Sequence, residues 1–204
     1  MPSIDPDALD ASGRYRLMIS AIVPRPIAWV TTLFPDGSVN AAPFSYFNGV
    51  SSSPPLVSVA VGRRGRIPEG VSRKKDTVAN LERTGELVVN LVSGPAAGAM
   101  VASSVVSEVA RNGLETVPSE TVAVPGLAAA RVRMEARIHA LLDLPEAHTT
   151  IVVARVLRFR VAEGVLDARG LVDLAALDPV GRLGGEDYGR VTEVRTIPRP
   201  DAGG

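Results

Sequence analysis

Along most of this chain, apolar and polar residues alternate at period two or gather into β-branched runs, and helical periodicity is confined to short stretches. Ile27 to Leu33 (IAWVTTL) is β-branched and aromatic, the composition of a strand. Phe34-Pro35-Asp36-Gly37 carries the Asp-Gly hairpin signal, and Ser38 to Ala42 returns as a second strand. Pro43 has no N–H for a ladder, so it marks an edge or a bulge. Phe44 to Val50 alternates irregularly around the turn pair Asn48-Gly49, and Ser51-Ser52-Ser53-Pro54-Pro55 reads as loop. Leu56 to Val61, Glu86 to Leu91 and Thr149 to Val161 are further strands. Arg131 to Leu142 (RVRMEARIHALL) alternates in its first half and reads as a strand with one wet face, a helix being the alternative. Tyr188 to Val194 is a last strand candidate.

The helical stretches are few. Asp76 to Thr84 (DTVANLERT) has Asp76 as N-cap, Val78 and Leu81 on one face, and Gly85 as the stop. Arg14 to Ala21 reads as a lead-in helix halted by Pro24 and Pro26. Pro95 to Asn112 is helical in composition and ends at Gly113. Leu171 to Leu177 is ambiguous. Residues 1–13 form a polar arm, 14–194 one domain, and 195–204 a tail. Many strands, hairpin turns and few helices predict a mainly β fold, a β-barrel with α-helical insertions.

Composition narrows the function. The 204 residues hold 22 basic and 22 acidic side chains, so the chain is a poor nucleic-acid or anionic-membrane binder. It has no cysteine, which removes thiol nucleophiles, zinc–thiolate sites and iron–sulfur clusters. No apolar run approaches the roughly 18 residues of a membrane helix, and the acidic start is no secretory signal. The expected location is cytoplasmic. The only two lysines stand side by side, Lys74 and Lys75.

Those lysines belong to SRKKDT, which opens the Asp76 helix. A helix start offers unpaired N–H groups and partial positive charge, which suit a phosphate. A lysine adds full charge and the Thr77 hydroxyl a donor, while Asp76 opposes an anion. The plainer reading is a capped helix behind a solvated basic loop. The hydroxyls of Ser45, Ser51 and Ser53, with Asn48, can bond a polar ring edge or simply form a Ser/Pro turn. Thr31 and Thr32 suit a strand, whereas Asn40 is unusual in one. His139 sits in the alternating strand, and His148 precedes a strand at a loop end. Two isolated histidines make no metal site. No G-x-S-x-G elbow, G-x-G-x-x-G turn or Walker loop is present.

Four segments, in order and spacing, resemble the flavin reductase-like family of FMN-binding split barrels, flavoredoxin-type proteins included. They are PRPIAWVTTLFPDGSVNAAPFSYFNGVSSSPPLVSV, KDTVANLERTGELVVNLV, HTTIVVARV and PVGRLGGEDY. The resemblance spans roughly residues 14–194. It implies a six-stranded antiparallel split barrel and a homodimer with FMN, or FAD, near the subunit interface. The phosphate would lie against Lys75, Asp76 and Thr77, with Lys74 and Arg73 nearby. The ring would lie along Thr31, Thr32, Ser45, Phe47, Asn48, Ser51 and Ser53, with Asn40 and Ala42 close by. His148 matches a position near the reactive face, although Glu146-Ala147-His148 departs from the Gly-Asp-His form of flavin reductase relatives. The implied activity is hydride transfer from NADH or NADPH to flavin, with reduced flavin released or electrons passed to an oxygenase or other acceptor. The alternatives are a non-catalytic flavin-binding electron carrier, a split barrel binding pyridoxal phosphate or haem, and a structural barrel.

Overall fold

The computed structural model describes residues 1, 3–65, 72–105 and 107–198. The middle of the basic loop (66–71) and the end of the tail (199–204) lie outside the described residues.

Seven strands form one antiparallel sheet: β1 (Ala28–Leu33), β2 (Val39–Phe44), β3 (Phe47–Ser52), β4 (Pro55–Gly62), β5 (Glu86–Leu91), β6 (Val132–Leu144) and β7 (Thr149–Val161). Their order across the sheet is β2-β1-β5-β6-β7-β4-β3. The two outermost strands, β2 and β3, are therefore neighbours in sequence, separated only by Ser45 and Tyr46. The sheet curls round to bring them there, but they do not pair with each other. That gap is the split of the barrel. The β2 edge is covered by the chain itself: Ala41 N donates to Ser107 O at 2.7 Å and Val109 N to Val39 O at 2.9 Å.

One count differs from expectation. The sheet has seven strands rather than six, because β3 takes in Ser51 and Ser52, which read as loop. They pair with Leu56 and Pro55 beyond a register shift at Gly49 to Ser51. An irregular, exposed strand at a sheet edge lacks the buried alternation by which strands are read.

The hairpin β1–β2 formed as its turn chemistry dictates, with Gly37 at φ 84°. Burial along β1 is nearly continuous, because it faces a core on both sides. Ala28 and Val30 enter the barrel interior with Val59, Leu87 and Val152. Ile27 and Trp29 face an outer core with Met100, Leu127 and Val180. Trp29 Nε1 donates to Ser103 Oγ at 2.9 Å, which seats helix α3 against this face.

Among the described residues four α-helices accompany the sheet: α1 (Ala11–Ala21), α2 (Asp76–Thr84), α3 (Ala97–Ser103) and α4 (Leu174–Leu177). α1 starts three residues earlier than expected, because Asp10 Oδ1 accepts from Gly13 N and caps it. A 3-10 turn at Pro6–Ala8 occupies the expected loose arm. α3 is shorter than the expected 95–112 helix. The Ser103 and Ser104 hydroxyls bond back to the Met100 and Val101 carbonyls, and the chain then turns to run along β2. A separate 3-10 turn, Ala110–Asn112, ends at Gly113 (φ 61°). α2 packs Val78 and Leu81 into the barrel interior and stops at Gly85 (φ 71°).

The PVGRLGGEDY segment folds back on the N-terminal side of β1. Val180–Arg182 pairs with Arg25–Pro26 and with Tyr188–Arg190, a ribbon shorter than the strand expected to Val194. Among the described residues no helix is long and apolar enough to cross a membrane.

Candidate functional site

The start of α2 faces the β2 edge across a cavity of about 290 Å³, lined by Asn40, Ala42, Arg64, Lys75, Thr77 and the serines of the α3 turn, Ser103, Ser104 and Ser107 among them. Its chemistry is basic and hydroxyl-rich. Lys75, not Asp76, occupies the N-cap position, and no side chain caps the helix. The first N–H groups of α2 are thus left for another acceptor.

Asp76 is the first helical residue, and its carboxylate is paired with Arg64. This corrects the expectation that Asp76 caps the helix and opposes an anion: a guanidinium neutralises it. Lys74 leaves the cavity and pairs with Glu82 at 2.6 Å. Lys75 has no acidic partner among the described residues. Its Nζ stands 5.4 Å from the centroid of the Phe44 ring. Partial burial, and then the nearby Arg64 charge, hold its pKa below the usual lysine value. A half-buried cation without a counterion is prepared for an anionic ligand.

Asn40 is fully buried at the cavity wall. Its Nδ2 donates to Thr32 Oγ1 at 3.0 Å and to Thr77 Oγ1 at 3.2 Å. Its Oδ1 is buried without a donor. A ligand hydroxyl or N–H would satisfy it.

The structure separates the two threonines expected to act together. Thr32 turns inward and accepts from both Asn40 and Asn80. Thr31 turns to the opposite face and donates to the Pro125 carbonyl at 2.7 Å. Ser45 lies where two further cavities adjoin, one also lined by Phe47 and Asn48. Ser51 and Ser53 are exposed on and after the free edge strand β3, where Ser51 Oγ accepts from Ser53 N. His148 is exposed in a left-handed turn (φ 50°) between β6 and β7, outside the lining of the α2 cavity. Its carbonyl accepts from Arg63 N at 2.8 Å.

The flavin reductase-like domain model matches residues 19–175. The chain belongs to the flavin reductase-like family. This family's split barrel is the fold described above, and a flavin-linked oxidoreductase chemistry goes with it. The chain is 39% identical to an uncharacterised protein of Halalkalibacterium halodurans over 97% of its own length and 96% of that protein's. Two solved structures align over almost the whole chain. Nitrilotriacetate monooxygenase component B from Bacillus cereus has a TM-score of 0.87 at 32% identity, covering 97% of this chain and 98% of that one. The Pseudomonas fluorescens 2-nitrobenzoate 2-nitroreductase NbaA has a TM-score of 0.88 at 30% identity, covering 98% of both chains.

For a family member with a flavin, the cavity residues fit a phosphorylated form. They supply a lysine with no acidic partner among the described residues, uncapped helix N–H groups, the Thr77 hydroxyl and an orphaned acceptor for a sugar-alcohol hydroxyl. The sequence signalled Lys75, Thr77 and Asn40. It did not signal Arg64 as the partner of Asp76, nor the three serines, whose placement depends on the turn after α3.

Proposed function

We propose that this protein is an FMN-dependent oxidoreductase of the flavin reductase type, which takes hydride from NADH or NADPH. The observation that carries the FMN assignment is Lys75: a half-buried cation, without a carboxylate partner among the described residues, at an uncapped helix start. The flavin, when bound, supplies the hydride-accepting chemistry itself. The chain's own tasks are to hold and orient it. Lys75 and the α2 N–H groups bind its phosphate, and Thr77 donates a hydroxyl hydrogen to the same group. Arg64 keeps the Asp76 charge off that phosphate. Asn40 accepts from the ligand's polyol, with Ser103, Ser104 and Ser107 alongside.

The ring lies toward Ser45, Phe47, Asn48, Ser51 and Ser53. That surface is open in one chain, and it ends at the unpaired edge of β3. A second copy of the chain closes it in our reading, giving a homodimer. Exposed Tyr46 and Val50, at 41% and 55%, flank these polar residues and suit burial in such a contact. The electron acceptor follows from likeness. The likeness to a monooxygenase component supports an oxygenase that receives reduced flavin, and the likeness to a nitroreductase supports direct reduction of a small acceptor.

The test is the visible spectrum of purified protein with FMN, followed by anaerobic mixing with NADH and with NADPH. Flavin bleaching by either donor is expected. A protein that leaves the absorbance and fluorescence of added FMN unchanged overturns the cofactor assignment. One that binds FMN but is reduced by neither donor is a carrier instead.

A further inference from the structure

Arg25 and Arg182 stand directly opposite each other in the ribbon beside β1, as Cα partners in register. Both line a cavity of about 240 Å³, with Ser45 and Tyr188, and it adjoins the α2 cavity through the shared residues Pro43 and Ser104. Like charges opposite each other on paired strands repel. Neither arginine meets a carboxylate among the described residues. Arg25 is 4% exposed, and its bonds go only to the carbonyls of Ile19, Ile22 and Leu183. Its Nε is buried without an acceptor. Arg182 lies 4.5 Å from the Tyr188 ring centroid and bonds the Tyr188 hydroxyl and the Gly185 carbonyl.

An uncompensated buried guanidinium is costly, and carbonyl dipoles offset that cost only in part. Here one buried guanidinium, Arg25, and one half-buried guanidinium, Arg182, converge on one polar cavity. Stacking on Tyr188 and the bond to its hydroxyl hold the Arg182 fork in place before any ligand arrives. Planar guanidinium forks match phosphate and carboxylate geometry in a way that Lys75, a point charge, does not. We propose that Arg25 and Arg182 form a second anion site, which takes the phosphate or carboxylate of the second substrate. Its position beside the α2 cavity brings that substrate next to a ligand already bound there. This inference goes beyond the cofactor assignment and rests on it only for which ligand fills the α2 cavity.

The test is calorimetric titration of FMN-loaded protein with NADP⁺, NAD⁺ and benzoate, the oxidised nucleotides carrying the same phosphates without reducing the flavin, in wild type, Arg182→Gln and Arg182→Lys. Wild type should bind at least one probe. Arg182→Gln should weaken that probe roughly ten- to a hundredfold, the loss of a charged hydrogen bond, and Arg182→Lys should weaken it less. FMN affinity should stay within about twofold, because Arg182 does not line the α2 cavity. Loss confined to NADP⁺ assigns a 2′-phosphate, loss of both nucleotides a pyrophosphate, and loss of benzoate a carboxylate. Wild type binding none of the three overturns the proposal, as does unchanged binding by Arg182→Gln. Equal weakening of FMN also overturns it, since the guanidinium then serves the flavin. If Arg182→Gln does not fold, Arg182→Lys carries the test alone. Protein that takes up no FMN fails the cofactor assignment only, and the same titrations on it, with inorganic phosphate added as a probe, still read the arginine pair.

Discussion

Asn40 reaches Thr77 across the gap between the barrel edge and the first turn of α2, its Nδ2 standing 3.2 Å from Thr77 Oγ1. The same amide donates to Thr32 Oγ1, which also accepts from Asn80 Nδ2 at 3.1 Å. One threonine hydroxyl therefore joins β2 and α2 through two buried amides. Thr32→Val keeps the shape and leaves both amides short of an acceptor. It should lower stability by about 1–3 kcal/mol, measured by denaturant unfolding. It should also loosen FMN, because the α2 start is no longer held against β2. Unchanged stability would show that the two amides find other partners.

Lys75→Ala tests the phosphate assignment by comparing ligands. FMN should weaken by about 1.5–3 kcal/mol, the range for a charged hydrogen bond, and riboflavin, which lacks the phosphate, far less. Fluorescence titration reads both. The apo protein should not lose stability, since Lys75 is desolvated and without a counterion. Equal weakening of the two ligands would place the phosphate elsewhere.

The lowered pKa of Lys75 gives a pH dependence with opposite signs for ligand and fold. In the apo protein Lys75 loses its proton at a pH below its ordinary value of 10.5, burial being the main cause and Arg64 the second. FMN affinity should therefore fall as pH rises through that lowered pKa, while riboflavin affinity holds. Apo stability should change the other way. Between the lowered pKa and 10.5 the unfolded chain binds more protons at Lys75 than the folded one, so its contribution to stability rises with pH. Lys75→Ala should abolish both trends.

His148→Gly separates backbone from imidazole. A non-glycine residue at φ 50° is strained, so glycine there should be neutral or stabilising by up to about 1 kcal/mol. The His148 carbonyl still holds Arg63 N, and FMN affinity should not change. The rate of flavin reduction is the readout for the imidazole. The family resemblance predicts a fall, and an unchanged rate removes His148 from the site.

What could be read from the sequence follows contact distance along the chain. The β1–β2 hairpin and α2 are local, fixed by Asp36-Gly37 and by the spacing of Val78, Leu81 and Gly85, and they formed where expected. The split barrel was legible in the order and spacing of the four segments that carry the family resemblance. The site's charge balance was not legible, because it depends on partners far apart in sequence. Arg64 neutralises Asp76 from 12 residues away in sequence, and Arg182 meets Arg25 only after the whole barrel has been built. Thr31 and Thr32 show the limit of a local reading. Adjacent strand residues face opposite ways, so only one of them can turn toward α2. The end of β3, Ser51 and Ser52, read as loop for the converse reason: exposed residues on an edge strand carry no burial pattern.

That open edge carries the last prediction. β3 ends the sheet with no strand partner on its outer edge among the described residues, and Val50 is 55% exposed beside Asn48 and Ser51. A free edge of this kind invites another chain unless something charged protects it, and β3 (FNGVSS) has no charged residue. Val50→Glu places a carboxylate where the second copy would pack. Wild-type protein should sediment at twice the chain mass, and the variant at the single mass with its strands intact by circular dichroism. If the second copy also closes the ring site, Val50→Glu should weaken FMN and riboflavin alike, the opposite of the selective loss in Lys75→Ala. A wild-type monomer that binds FMN tightly would refute the dimer and locate the ring wholly within one chain.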